Sequence, residues 1–148
     1  MAPITTTSEV ARPPAEVFAY VTDPTRFGEW QEGVVGGRVE GDEPHAVGDK
    51  CFTTRRIGGT ERSVTSVITH IDPPEAWGVR GVDGPIRATV DVTVAPLNDG
   101  QRSRVTIELD FAGHGIGKLL VPLIVRRSAQ KEMPANLDRL KSRLESTR

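Results

Sequence analysis

Three histidines, His45, His70 and His114, and one cysteine, Cys51, are the side chains best suited to metal or nucleophilic chemistry. The histidines lie too far apart for an H-x-x-x-H pair and the cysteine stands alone, so no metal site is expected. No G-x-S-x-G elbow is present, and no serine carries the local pattern of an activated nucleophile. The run Gly113-x-Gly115-x-Gly117-Lys118 puts backbone amides where an anion could sit, between a strand and a helix. A phosphate loop would need glycine at Ala112 and Ser or Thr at Leu119, and a dinucleotide fold would need a βαβ unit, so the run reads as a hinge. No cofactor is expected.

Polar residues at apolar positions are more informative. On a helical wheel over the C-terminal segment, with Leu137 at zero and about 100° per residue, Leu119, Leu123, Met133, Leu140 and Leu144 fall within about ±60°. Arg126 and Gln130 fall at about −20° and +20°, inside that stripe. Over a cavity they would orient a ligand carbonyl or carboxylate, because a few polar groups in an apolar pocket supply orientation while burial supplies affinity. The competing reading, which is preferred, has Pro122 and Pro134 shift the phase and turn both residues to solvent.

In Arg55-Arg56, regular strand geometry sends one arginine inward, where Arg55 would be a second anion partner. A bulge or edge position that leaves both solvated is the favoured alternative. Trp30, Trp77, Phe27 and Phe111 read as core or cavity wall. Tyr20 reads as packing with its hydroxyl at a rim.

These residues need elements to position them. Ile4 to Val10 reads as a strand, Pro14 to Val21 as a short helix stopped by Asp23-Pro24, and Thr25 to Trp30 as a second short helical turn capped by Asp23. Six β-type runs follow: Val34–Glu40, Lys50–Ile57, Glu61–Ile71, Ala76–Gly81, Pro85–Ala95 and Ser103–Ala112. The last two alternate most regularly, with one face apolar and the other wet. A long helical segment from about Ile116 to about Glu145 ends the chain, and Pro134 predicts a kink or break. Its first turns, Ile116, Leu119, Leu120, Val121, Leu123, Ile124 and Val125, are apolar almost all round. They need a covering loop, or else the surface is a contact with a second copy or a membrane.

Length and composition set further bounds. The 148 residues suit a single domain, 1–148. Nineteen basic residues against twenty acidic ones, for a net charge of −1, leave no footprint for nucleic acid. No apolar run approaches the roughly 20 residues of a membrane span, so integral insertion is not expected. The opening MAPITTTSEV lacks a basic n-region and an apolar h-region, and with a single cysteine a reducing cytoplasm is expected.

The segment Pro13-Pro14-Ala15-Glu16-Val17-Phe18-Ala19-Tyr20-Val21-Thr22-Asp23-Pro24, followed by Phe27-Gly28-Glu29-Trp30, resembles the opening of the START-like helix-grip superfamily (SRPBCC), in its polyketide cyclase/dehydrase and lipid-transport branch. Gly48-Asp49-Lys50-Cys51-Phe52, a Pro-Pro turn before Trp77, and the ending Leu137 to Glu145 occur in the order found there. The resemblance covers nearly the whole chain. It implies an α+β helix-grip fold: a seven-stranded curved antiparallel sheet wrapped around a long C-terminal helix, with two short helices after the first strand. It also implies a cavity for a small hydrophobic or amphipathic ligand of polyketide, lipid or isoprenoid type. Cyclisation or dehydration of a bound polyketide, with Arg126, Arg55 or His114 assisting proton transfer, is the enzymatic alternative, and a co-chaperone-like interaction module is a third. The resemblance also favours a portal at the apolar first turns of the last helix, which buried Leu120 and Val121 would count against. The expected ligand-facing residues are Arg126, Gln130, Arg55, Trp30, Phe52, Trp77, Phe111, His114 and Leu123, in a monomer or homodimer.

Overall fold

The computed structural model describes residues 3–57 and 59–146, side chains at 57 and 123 excepted. Period-two alternation produces β1 (Ile4–Val10), β2 (Val34–Val39), β3 (Lys50–Ile57), β4 (Thr60–Asp72), β5 (Ala76–Gly81), β6 (Ile86–Leu97) and β7 (Arg102–Gly113). They form one curled antiparallel sheet in the order β1-β7-β6-β5-β4-β3-β2. From β2 onward, neighbours in sequence are neighbours in space, as short connections favour. β1 alone crosses over to pair with β7, Ile4 opposite Leu109 and Val10 opposite Ser103.

Between β1 and β2 lie α1 (Pro14–Val21) and a 3₁₀ turn, Pro24–Glu29. Pro14 occupies the first turn of α1, where its missing N–H costs nothing. Asp23 caps the 3₁₀ turn, accepting from the Thr25 amide at 3.0 Å. That turn packs onto β2 at Gly37, where a Cβ would lie 2.6 Å from the Pro24 carbonyl oxygen.

After β7 the chain forms α2 (Gly117–Leu120), a π-helical turn (Val121–Val125) and α3 (Arg126–Ser146). Two sequence expectations change here. Pro134 does not break the helix, because it is exposed and α3 runs through it without interruption. The phase change comes earlier, at the π turn containing Pro122, where the wider turn shifts later residues round the axis. The buried stripe of α3 is accordingly Ala129, Met133, Asn136, Leu137, Leu140 and Leu144. Leu119, expected on the same stripe, is instead 63% exposed.

The core sits between the C-terminal half of α3, α1 and one end of the concave sheet face. Leu137, Leu140, Val17, Val92 and Val105 are all essentially inaccessible, and a fully buried leucine is worth about 1.5–3 kcal/mol. Polar bonds lock this end. The Ala11 amide donates to Glu145 Oε2 at 2.9 Å, Arg12 Nη2 to the Glu145 carbonyl at 3.0 Å, and Ser103 Oγ to the Arg12 carbonyl at 2.8 Å.

Candidate functional site

Strand alternation sends one side chain in two to the concave face, and burial there grades along the strands. On β6 and β7, Val92, Val94, Val105 and Ile107 are buried beneath the helices. Further along the same two strands Ile86, Ala88, Val90, Leu109 and Phe111 are only half-buried. Because α3 runs alongside β1 rather than over the centre of the sheet, this second end is an open apolar trough.

Arg55, on β3, is turned to the same concave face. The β3–β4 register is regular from Lys50 to Ile57, so the alternation that buries Cys51 and Thr53 also turns Arg55 inward. A register shift is present, but on β2, between Val34 and Gly36, where it leaves β3 undisturbed. The favoured sequence reading, with both arginines in solvent, is thereby corrected. Arg56 alone faces outward, its Nη2 3.3 Å from Glu61 Oε2.

Among the described residues Arg55 makes a single hydrogen bond, Nη2 donating to Gln31 Oε1 at 3.0 Å. Burial pushes its pKa below the ordinary value, opposed by the charge of Glu132 on α3. An arginine nonetheless stays charged, so the concave face contains a cation with one side-chain hydrogen bond among the described residues.

Gln31 is itself held in place. Asn136, 5% exposed on α3, accepts from the Glu32 amide at 3.1 Å and from Arg139 Nη2 at 2.8 Å. Arg139 Nε donates to the Trp30 carbonyl at 3.2 Å. Helix α3 thus latches the residue 30–32 loop on both sides of Gln31. Behind the loop Phe27 stands edge-on to Trp30 and Trp77, with centroids 5.9 and 6.3 Å apart. The buried Trp30 Nε1 has no hydrogen-bond partner among the described residues.

The remaining sequence candidates fall in different places. Trp30 and Trp77 are core residues, each 3% exposed, and Phe111 lies half-buried on the trough floor. Phe52 is on the opposite, convex face under Arg38, whose guanidinium carbon is 4.3 Å from the ring centroid. It is not brought to the trough, because odd residues of β3 point inward and even ones outward. His114 is exposed at the turn before α2. Gln130 is exposed, and Arg126 Nη1 turns to Asp110 Oδ1 at 3.2 Å. Both line a groove of about 720 Å³ between β1 and α3, apart from Arg55. The Leu123 side chain lies outside the described residues. Tyr20 donates to Glu29 Oε1 at 3.0 Å, and burial, reinforced by Glu29, pushes its pKa up to about 12, so it holds its proton more tightly than a free phenol. Among the described residues no group of three or more His, Cys, Asp or Glu is placed to hold a metal ion.

Sequence reasoning missed Gln31, Glu132, Asn136 and Arg139. The available signal was weak: a buried asparagine on an apolar helix face, at a wheel angle beside Leu140.

A family model described as polyketide cyclase / dehydrase and lipid transport matches residues 1–145. Two uncharacterized proteins from strains of Mycobacterium tuberculosis are 38% identical over 68 residues, which is 45% of this chain and 30% of each of theirs. The chain therefore spans less than a third of the length of those relatives. A START superfamily protein from Mycobacterium smegmatis superposes with a TM-score of 0.78 at 14% identity, over 98% of both chains. The Zhui aromatase/cyclase from Streptomyces sp. R1128 does so with a TM-score of 0.78 at 13% identity, over 97% of this chain and 93% of that one. These two likenesses show the helix-grip fold.

Proposed function

The chain belongs to the polyketide cyclase/dehydrase and lipid transport family, and from that premise we propose that it binds a small amphipathic molecule in the trough. An acidic or carbonyl oxygen of the ligand sits on the Arg55 guanidinium, and its apolar body lies on the β6–β7 floor. The observation that carries this reading is the inward, half-buried Arg55, a cation with one side-chain hydrogen bond among the described residues. A half-buried cation gains a strong, charge-assisted bond from an incoming oxygen.

Binding is favoured over catalysis by what stands next to Arg55. Gln31 does not titrate, Glu132, whose charge acts on Arg55, is exposed on α3, Tyr20 is turned away to Glu29, and His114 is on an exposed turn. A cyclase or dehydrase needs a proton donor or acceptor within hydrogen-bond reach of the bound chain.

The test uses the two buried tryptophans as reporters. Titration with dodecanoate and with dodecanol should give a saturable fluorescence change with both, tighter for dodecanoate. The Arg55→Met variant should weaken dodecanoate about tenfold or more, the value of one charge-assisted bond, and leave dodecanol unchanged. Equal affinities of the wild type for the two probes, or no effect of Arg55→Met, would overturn the reading.

A further inference from the structure

The segment leading from the hinge into α3 has two properties that its neighbours lack. Ile116 is 67%, Leu119 63% and Ile124 57% exposed, although Val121 between them is 5% exposed and Leu120 half-buried. The helix therefore anchors itself through Val121 and presents Ile116, Leu119 and Ile124 outward. From Phe111 to Lys131 the chain also contains no acidic residue, but includes Lys118, Arg126, Arg127 and Lys131.

Lys118, Arg127 and Lys131 are exposed, and none forms an ion pair among the described residues. Arg126 is the one of the four that is turned inward, to Asp110. Helical spacing aligns Ile124, Arg127 and Lys131 at i, i+3 and i+7, and Ile116 with Leu119 at i and i+3. The β5–β6 loop extends the surface. The His114 amide donates to the Pro85 carbonyl at 2.8 Å, which brings Val82, 37% exposed, and Arg87 beside α2. The loop's carboxylate, Asp83, is engaged with the Thr65 amide at 3.0 Å.

We infer that this face docks reversibly on an anionic lipid surface. Ile116, Leu119 and Ile124 enter the acyl boundary, while Lys118, Arg127 and Lys131 meet the negative headgroups on stems long enough to snorkel. Charge distinguishes this occupant from a second copy of the chain. A self-complementary contact would bring two sets of unpaired basic residues against each other without an acidic partner. The inference rests on the exposed side chains and stands independently of the ligand reading.

The experiment is co-sedimentation with vesicles of phosphatidylcholine alone and of phosphatidylcholine with about one third phosphatidylglycerol. The wild-type chain should pellet with the anionic vesicles only, and should be released when salt is raised to about 1 M, where the Debye length is roughly 3 Å. Lys118→Glu/Arg127→Glu/Lys131→Glu should weaken binding about a hundredfold or more. Ile116→Ser/Leu119→Ser/Ile124→Ser should weaken it about tenfold or more while leaving the circular dichroism spectrum intact. Wild-type chain left in the supernatant, or pelleting unaffected by either triple variant, would overturn the inference. So would a concentration-dependent dimer in sedimentation velocity that the serine variant abolishes, since that assigns the face to a second copy.

Discussion

Asn136→Ala tests whether α3 holds the loop that carries Gln31. Asn136 is 5% exposed, and its Oδ1 accepts from both the Glu32 amide and Arg139 Nη2. Removing the acceptor strands the part-buried Glu32 N–H, at a cost of about 1.5 kcal/mol. It also ends a bond from an exposed arginine worth about 1 kcal/mol. Alanine's better helix propensity returns about 0.6 kcal/mol, for a net loss of about 2 kcal/mol. For a chain of this size that is roughly 4–8 °C in Tm. Urea unfolding by far-UV circular dichroism measures the loss, and the dodecanoate titration measures its functional echo, since a freed Gln31 no longer orients Arg55. Asn136→Asp keeps an acceptor for both donors and should lose less than about 1 kcal/mol. A change below about 0.5 kcal/mol for Asn136→Ala, or equal losses for the two variants, would refute the latch.

Two further outcomes follow from the packing. Gly117→Ala places a Cβ against the Pro85 carbonyl and should lower stability by about 2 kcal/mol or more, or detach α2 from the β5–β6 loop; amide exchange at His114 reads the detachment. Tyr20 titrates at about 12 in place of 10.0, so folding favours its protonated form. That stabilisation is complete below pH 10 and disappears as pH rises through 12. Urea unfolding across that range should show the wild type losing at most about 2 kcal/mol more than Tyr20→Phe, and parallel curves would remove the Glu29 interaction from the account.

Much of the sheet was legible because its signal is local. The expected bounds of Lys50–Ile57 and Ala76–Gly81 coincide with β3 and β5, and the alternation of β6 and β7 places Val92 and Ile107 inside. Asp23-Pro24 likewise set the stop of α1 and the start of the 3₁₀ turn. The helix phase was not legible, because a single wheel angle cannot represent a π turn at Val121–Val125. Nor was the orientation of Arg55, which depends on which strand absorbs a register shift; the shift fell on β2. Gln31 and Asn136 escaped for a different reason. Their roles arise from contacts across about a hundred positions of sequence, Glu32 with Asn136 and Trp30 with Arg139, and no local pattern encodes such a meeting.

The central claim is that the trough is a ligand site organised by Arg55. Its most direct test is native mass spectrometry of the wild type and of Arg55→Met, each purified from a bacterial host and followed by organic extraction. The wild type is expected to carry an added mass of a few hundred daltons, released as a molecule with an acidic or carbonyl oxygen and an apolar body, and strongly depleted in Arg55→Met. Bare protein in both samples, or an adduct of equal occupancy in both, would contradict it.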